Sequence, residues 1–184
     1  MAAHKFYLSF GRHERYGNDT AIEREDMIAA YLTGKQLKSW LPTCTTVYCS
    51  PLERAAVTAR FEALGLGVDH LLISESLTEN ADKFTVKRFI TDLLNYTDEQ
   101  TAYYHFVTHL PVVEKLGLPF LGAGEVCLLA AENKDEMQAE NFLLQTIKKP
   151  IISAEIWQKL QLVPKELNTL STEEIYKKLT DLNL

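Results

Sequence analysis

The chain has no run approaching the roughly 18 consecutive apolar residues of a membrane span, no paired CxxC spacing, no repeat and no low-complexity segment. Each absence removes a class of protein. Without a span, no membrane-crossing helix is expected. Without a His, Asp, Glu or Cys cluster at ligand spacing, a zinc hydrolase is not expected either, and no resident metal or other cofactor is called for. Cysteine is sparse: Cys44, Cys49 and Cys127 make an odd set that reads as reduced core thiols rather than a disulfide framework. An excess of positive charge is also missing, with 19 Lys and Arg against 25 Asp and Glu and a formal net charge of −6. That balance argues against a broad nucleic-acid or anionic-membrane surface, while still allowing a local cationic pocket. The N-terminal MAAHKFYLSFGRH is interrupted by charge too soon for a secretory signal, so a cytoplasmic location is expected.

What is present is an ordinary globular composition, 46% hydrophobic and 24% charged over 184 residues. This suits one domain with a real core, expected over about 5–150 with a helical extension over 151–184. KFYLSF (5–10), TTVYC (45–49), HLLIS (70–74) and TAYYHFV (101–107) read as short buried strands. Between them, 19–41 (with Gly34 expected to break it in two), 52–67, 83–96 and 111–116 read as helices. The strict alternation implies an α/β sandwich with a largely parallel sheet. EVCLLA (125–130) and FLLQTIKK (142–149) are expected to finish that sheet as a hairpin. SAEIWQKLQ and STEEIYKKLTDL read as two further helices, the second opened by a Ser171–Glu174 capping box and both expected to cover the sheet edge.

In open α/β sheets, ligands gather beyond the carboxyl ends of the strands. After the first strand stand Arg12 and His13. After the second, Ser50, Pro51 and Glu53 read as a cap, first position and capping box that start a helix and put Arg54 in its first turn. After the fourth come Thr108 and His109. Guanidiniums hold phosphoryl oxygens, and an imidazole held through one nitrogen can attack with the other. Arg12, Arg54 and His109 can therefore stabilise a phosphoryl group that His13 attacks. His4, His70 and His105 lack such company and read as structural or exposed. Arg24 with Glu23, Glu25 and Asp26 reads as a solvated helix face. A cysteine phosphatase loop is disfavoured, because Cys49 and Arg54 enclose four residues rather than five.

FGRH, YCSPLERAAVTA and FVTHLPVV together resemble the histidine phosphatase superfamily, the phosphoglycerate mutase-like proteins. In length and spacing they are most similar to its SixA-like phosphohistidine phosphatases. The resemblance covers about 5–150 and implies a three-layer α/β/α sandwich, a phosphorylated intermediate on His13, and a phosphate pocket of Arg12, Arg54 and His109, with Arg15 as an auxiliary contact. It implies a partner that is a phosphohistidine protein or a small phosphorylated compound. Glu79 is the best-placed general acid, with Asp19 and Asp82 behind it, although an imidazole leaving group needs little help. One position departs from the pattern. Glu14 stands where the family has glycine, so a disabled phosphate-binding module is the competing expectation.

Overall fold

The computed structural model describes residues 6–15, 22–96 and 102–182. Its sheet is built from β1 (Phe6–Arg12), β2 (Thr46–Cys49), β3 (His70–Ile73), β4 (Ala102–Thr108), β5 (Val126–Ala131) and β6 (Leu143–Ile147). They lie in the order β3-β2-β4-β1-β5-β6. The first four neighbours pair in parallel, β5 runs antiparallel to β1, and β6 runs antiparallel to β5. The expected terminal hairpin is therefore present, with a short helix, α5 (Lys134–Gln138), inside its polar connection.

Side-chain alternation along β1 and β4 divides the core. Phe6, Leu8, Phe10 and Phe106 face one way, onto α3 (Lys83–Tyr96) and α4 (Leu110–Lys115). Val47, Cys49, Val107 and Leu128 face α1 (Arg24–Leu37) and α2 (Glu53–Leu66). All three cysteines are buried and free of disulfides, and burial lifts the Cys49 thiol to about 12. No helix among the described residues is long and apolar enough to cross a membrane.

Three local expectations are corrected. Gly34 does not break α1, which runs through it. A Cβ there would stand 2.9 Å from the carbonyl carbon of Glu62, so glycine serves the close approach of α1 to α2. The C-terminal segment forms three helices rather than two: α6 (Ala154–Leu160), α7 (Pro164–Leu167) and α8 (Thr172–Leu182). They do not cover the sheet edge. Leu160, Leu167, Ile175 and Leu179 instead join Met27, Ile28, Tyr31 and Phe61 in a third cluster on the outer side of α1 and α2. Leu143 and Leu144 of edge strand β6 remain exposed. The capping box at Ser171 forms as expected: its amide donates to Glu174 Oε2 at 2.7 Å, and the Glu174 amide donates back to Ser171 Oγ at 3.3 Å.

Candidate active site

Sheet register brings the key residues together. Arg12 pairs with Thr108 across β1 and β4, so the residues that follow, His13 and His109, leave the sheet side by side. The His13 amide donates to the Thr108 carbonyl at 3.0 Å, and the Ser50 amide donates to that of Val107 at 3.0 Å. The two imidazoles meet edge to face with centroids 5.0 Å apart. From the first turn of α2, Arg54 Nε lies 3.3 Å from His13 Nε2. The histidines are 5% and 1% exposed.

Each ring is oriented through one nitrogen. His13 Nδ1 donates to the Glu14 carbonyl at 2.6 Å, a bond that assigns the proton to Nδ1 and turns the basic Nε2 toward Arg54. His109 Nε2 sits 2.8 Å from Ser50 Oγ. The expected capping role of Ser50 is thus corrected: the residue before α2 is Leu52, without a side-chain cap, and Ser50 contacts His109 and the Leu52 amide instead. Burial, reinforced by the arginines, lowers His13 to about 4. Burial first, then His13 and Arg54, lowers His109 to about 3. At neutral pH both are neutral imidazoles.

Arg12 donates from one terminal nitrogen to the Leu121 carbonyl at 2.9 Å. Its Nε and the Nδ1 of His109 are buried with no hydrogen-bond partner among the described residues. Two of the groups expected to hold phosphate therefore each present an unsatisfied polar atom, an arrangement that native proteins keep for a reason.

The remaining expected residues are placed differently. Glu79 pairs with Arg54 at 2.6 Å and is partly exposed; Lys115 fixes its loop by donating to the Glu79 and Ala81 carbonyls at 2.9 and 2.8 Å. Asp82 is exposed and caps α3, accepting from the Thr85 amide and hydroxyl at 2.9 and 2.8 Å. Arg15 is exposed, and no contact joins it to the cluster among the described residues. Asp19 lies outside the described residues. His105 is buried between Ser9 Oγ at 2.7 Å and Glu62 Oε2 at 2.8 Å, on the α2 side of the sheet and wholly closed to solvent.

Glu14 does not stand in the pocket. Its side chain is fully buried and its Oε2 accepts from Lys149 Nζ at 2.6 Å. Lys149 also binds Asp26, so Asp26 belongs to a buried cluster and not to a solvated face. Burial raises the Glu14 carboxyl to about 7, against the lowering effect of Lys149. Among the described residues, no group of three His, Cys, Asp or Glu side chains could hold a metal ion.

No family model and no curated protein matches the chain. Solved structures do. The protein histidine phosphatase SixA complexed with tungstate superposes with a TM-score of 0.65 at 18% identity, over 78% of this chain and 97% of that one. A mycobacterial glucosyl-3-phosphoglycerate phosphatase gives 0.57 at 12% identity, over 79% and 99%. The phosphoserine phosphatase of Entamoeba histolytica in complex with 3-phosphoglyceric acid gives 0.51 at 13%, over 67% and 90%. The chain shares the fold of these phosphatases, and the expected α/β sandwich with a mostly parallel sheet is the observed one.

Proposed function

We propose that this chain is a metal-independent, cytoplasmic phosphohydrolase that carries the phosphoryl group transiently on His13 and takes it from phosphohistidine on a partner protein. The observation that carries this reading is the cluster at the ends of β1, β2 and β4. It joins two guanidiniums and two neutral imidazoles, with Arg12 Nε and His109 Nδ1 both lacking a partner among the described residues. A tetrahedral oxyanion supplies acceptors for both atoms and charge for both arginines.

In the first half-reaction His13 Nε2 attacks phosphorus, forming one N–P bond as the N–P bond to the substrate imidazole breaks. The leaving ring departs neutral when its other nitrogen carries a proton. Water then attacks the phosphorylated His13, the second N–P bond breaks, and the Nε2 lone pair returns to the ring with release of inorganic phosphate. Arg12, Arg54 and His109 stabilise the equatorial oxygens. Glu79 is engaged in neutralising Arg54, which suits a leaving group that needs no strong acid. The disabled-module reading loses its premise, since the Glu14 carboxylate is directed to Lys149.

A panel of phosphoramidate and phosphoester substrates, assayed with chelator, tests this reading. Native protein should turn over the phosphoramidate and form an acid-labile phosphoenzyme, and His13→Ala should do neither. Full turnover by His13→Ala would refute it. Arg54→Ala should raise the barrier by about 3 kcal/mol. A second reading, hydrolysis of a small phosphate ester, is favoured by the carboxylate of Glu79 lying at the same arginine. In that case Glu79→Gln should depress ester hydrolysis far more than phosphoramidate hydrolysis.

A further inference from the structure

The residue after His13 is tied into the protein from three directions. Its amide donates to Thr58 Oγ1 at 3.0 Å, and that hydroxyl donates to the Arg54 carbonyl at 2.7 Å. Its carbonyl accepts from His13 Nδ1 at 2.6 Å. Its side chain turns the opposite way, to Lys149 just beyond β6 and, through Lys149, to Asp26 on α1.

The carboxylate is also packed against the loop that grips the site. A Cβ on Gly124 would sit 2.5 Å from the Glu14 carboxyl carbon, and Gly124 has φ +73°. The same glycine donates its amide to the Arg12 carbonyl at 3.1 Å and the His13 carbonyl at 3.3 Å. Glutamate thus takes up at this position what a glycine would leave as backbone freedom. A side chain anchored at its far end restricts the φ and ψ of its own residue, and the position of the carbonyl follows.

We propose that Lys149 and Glu14 are positioning residues for the nucleophile: their buried ion pair, extended to Asp26, fixes the Glu14 carbonyl that holds the proton on His13 Nδ1 and leaves Nε2 as the attacking atom. The inference rests on the reading of His13 as the nucleophile and goes beyond it by assigning a task to a lysine 135 residues away in the chain. Burying carboxylates with one ammonium is costly in itself. A group that adds little net stability yet fixes one geometry is what a positioning device looks like.

Lys149→Met, Lys149→Arg and Glu14→Gly separate this from a purely structural role. Lys149→Met should lower kcat by on the order of ten- to a hundredfold with KM changed less than about twofold. Lys149→Arg, which keeps the cation, should recover most of the loss. Imidazole nitrogen NMR reports the tautomer of His13 without turnover. It should show Nδ1–H in the native protein and a mixture of tautomers in Lys149→Met and Glu14→Gly. Should Lys149→Met not fold, Glu14→Gly carries both readouts, since Lys149 there keeps Asp26 as partner. Folded Lys149→Met or Glu14→Gly with native kcat and an unchanged His13 tautomer overturns the proposal. A native protein without turnover on any phosphorylated substrate, but with a His13 tautomer that the variants disturb, would sink the phosphatase reading and leave the positioning intact.

Discussion

His13 and His109 are imidazoles that burial and neighbouring arginines keep from protonating, and this sets the pH behaviour of the site. Only neutral His13 can attack. With its folded value lowered to about 4, protonation of His13 itself should cut kcat/KM, corrected for substrate ionisation, only toward pH 4; a partial fall nearer pH 7 that is absent from Glu14→Gln belongs to the Glu14–Lys149 pair, whose carboxyl is raised to about 7. A fall centred near the ordinary imidazole value of about 6.5 that persists in Glu14→Gln would show a solvated ring. The same shifts act on stability. A depressed folded value contributes stability that is present above 6.5 and lost as pH falls through about 4 for His13 and about 3 for His109. Glu14 acts in the other sense. Raised from 4.5 to about 7, it contributes stability that is present below 4.5 and lost as pH rises through 7. Urea midpoints should therefore decline for the native protein relative to Glu14→Gln as pH goes from about 5 to about 8; parallel profiles would contradict the burial of a titrating carboxyl. The four side chains of the cluster were legible in the sequence because each stands at, or within a few residues after, the carboxyl end of a recognisable strand. The direction of Glu14 was not, because its partner lies in another part of the chain and leaves no local signal.

Strands and helices were read well where a period or a stop residue specifies them, and misread where a distant partner decides. Gly34 has the low helix propensity that suggests a break, yet α1 is continuous, because packing against α2 outweighs one unfavourable residue. Gly65 answers it from the other helix: a Cβ there would lie 2.9 Å from the Lys35 amide nitrogen and 3.0 Å from Gly34 Cα. Propensity alone says that alanine at either position should stabilise the helix by up to about 1 kcal/mol. Backbone overlap says the reverse, and it is the larger effect, at about 1–3 kcal/mol or more. Gly34→Ala should thus lower the urea midpoint, and it should also disturb Glu62 and the buried contact of that residue with His105. A stabilised Gly34→Ala would mean that α1 and α2 are not in backbone contact. Ser50 teaches the same lesson on a smaller scale. Its position before a helix suggested a cap, but His109, brought beside it by the pairing of β2 with β4, claims its hydroxyl.

Across the molecule, the three C-terminal helices lie against the α1–α2 layer, with the sheet on its other side. The sequence displayed their amphipathic pattern but not the surface they meet, since an apolar stripe fits a sheet edge and a helical layer alike. Two kinds of contact hold α8 there. Arg60 on α2 forms a bidentate pair with Glu173 at 2.5 and 2.8 Å and stacks its guanidinium 4.2 Å from the Tyr176 ring centroid. Ile175 and Leu179 are each 1% exposed in the cluster with Tyr31 and Phe61. The pair is solvent-facing, so Arg60→Ala should cost no more than about 1 kcal/mol, with some of that due to the lost stacking. Ile175→Ala removes fully buried methyl and methylene groups and should cost about 2–4 kcal/mol. Urea denaturation of the two variants decides which contact docks the extension. The opposite order, with Arg60→Ala the more damaging, would mean that charge rather than apolar burial attaches these helices to the body that carries the site.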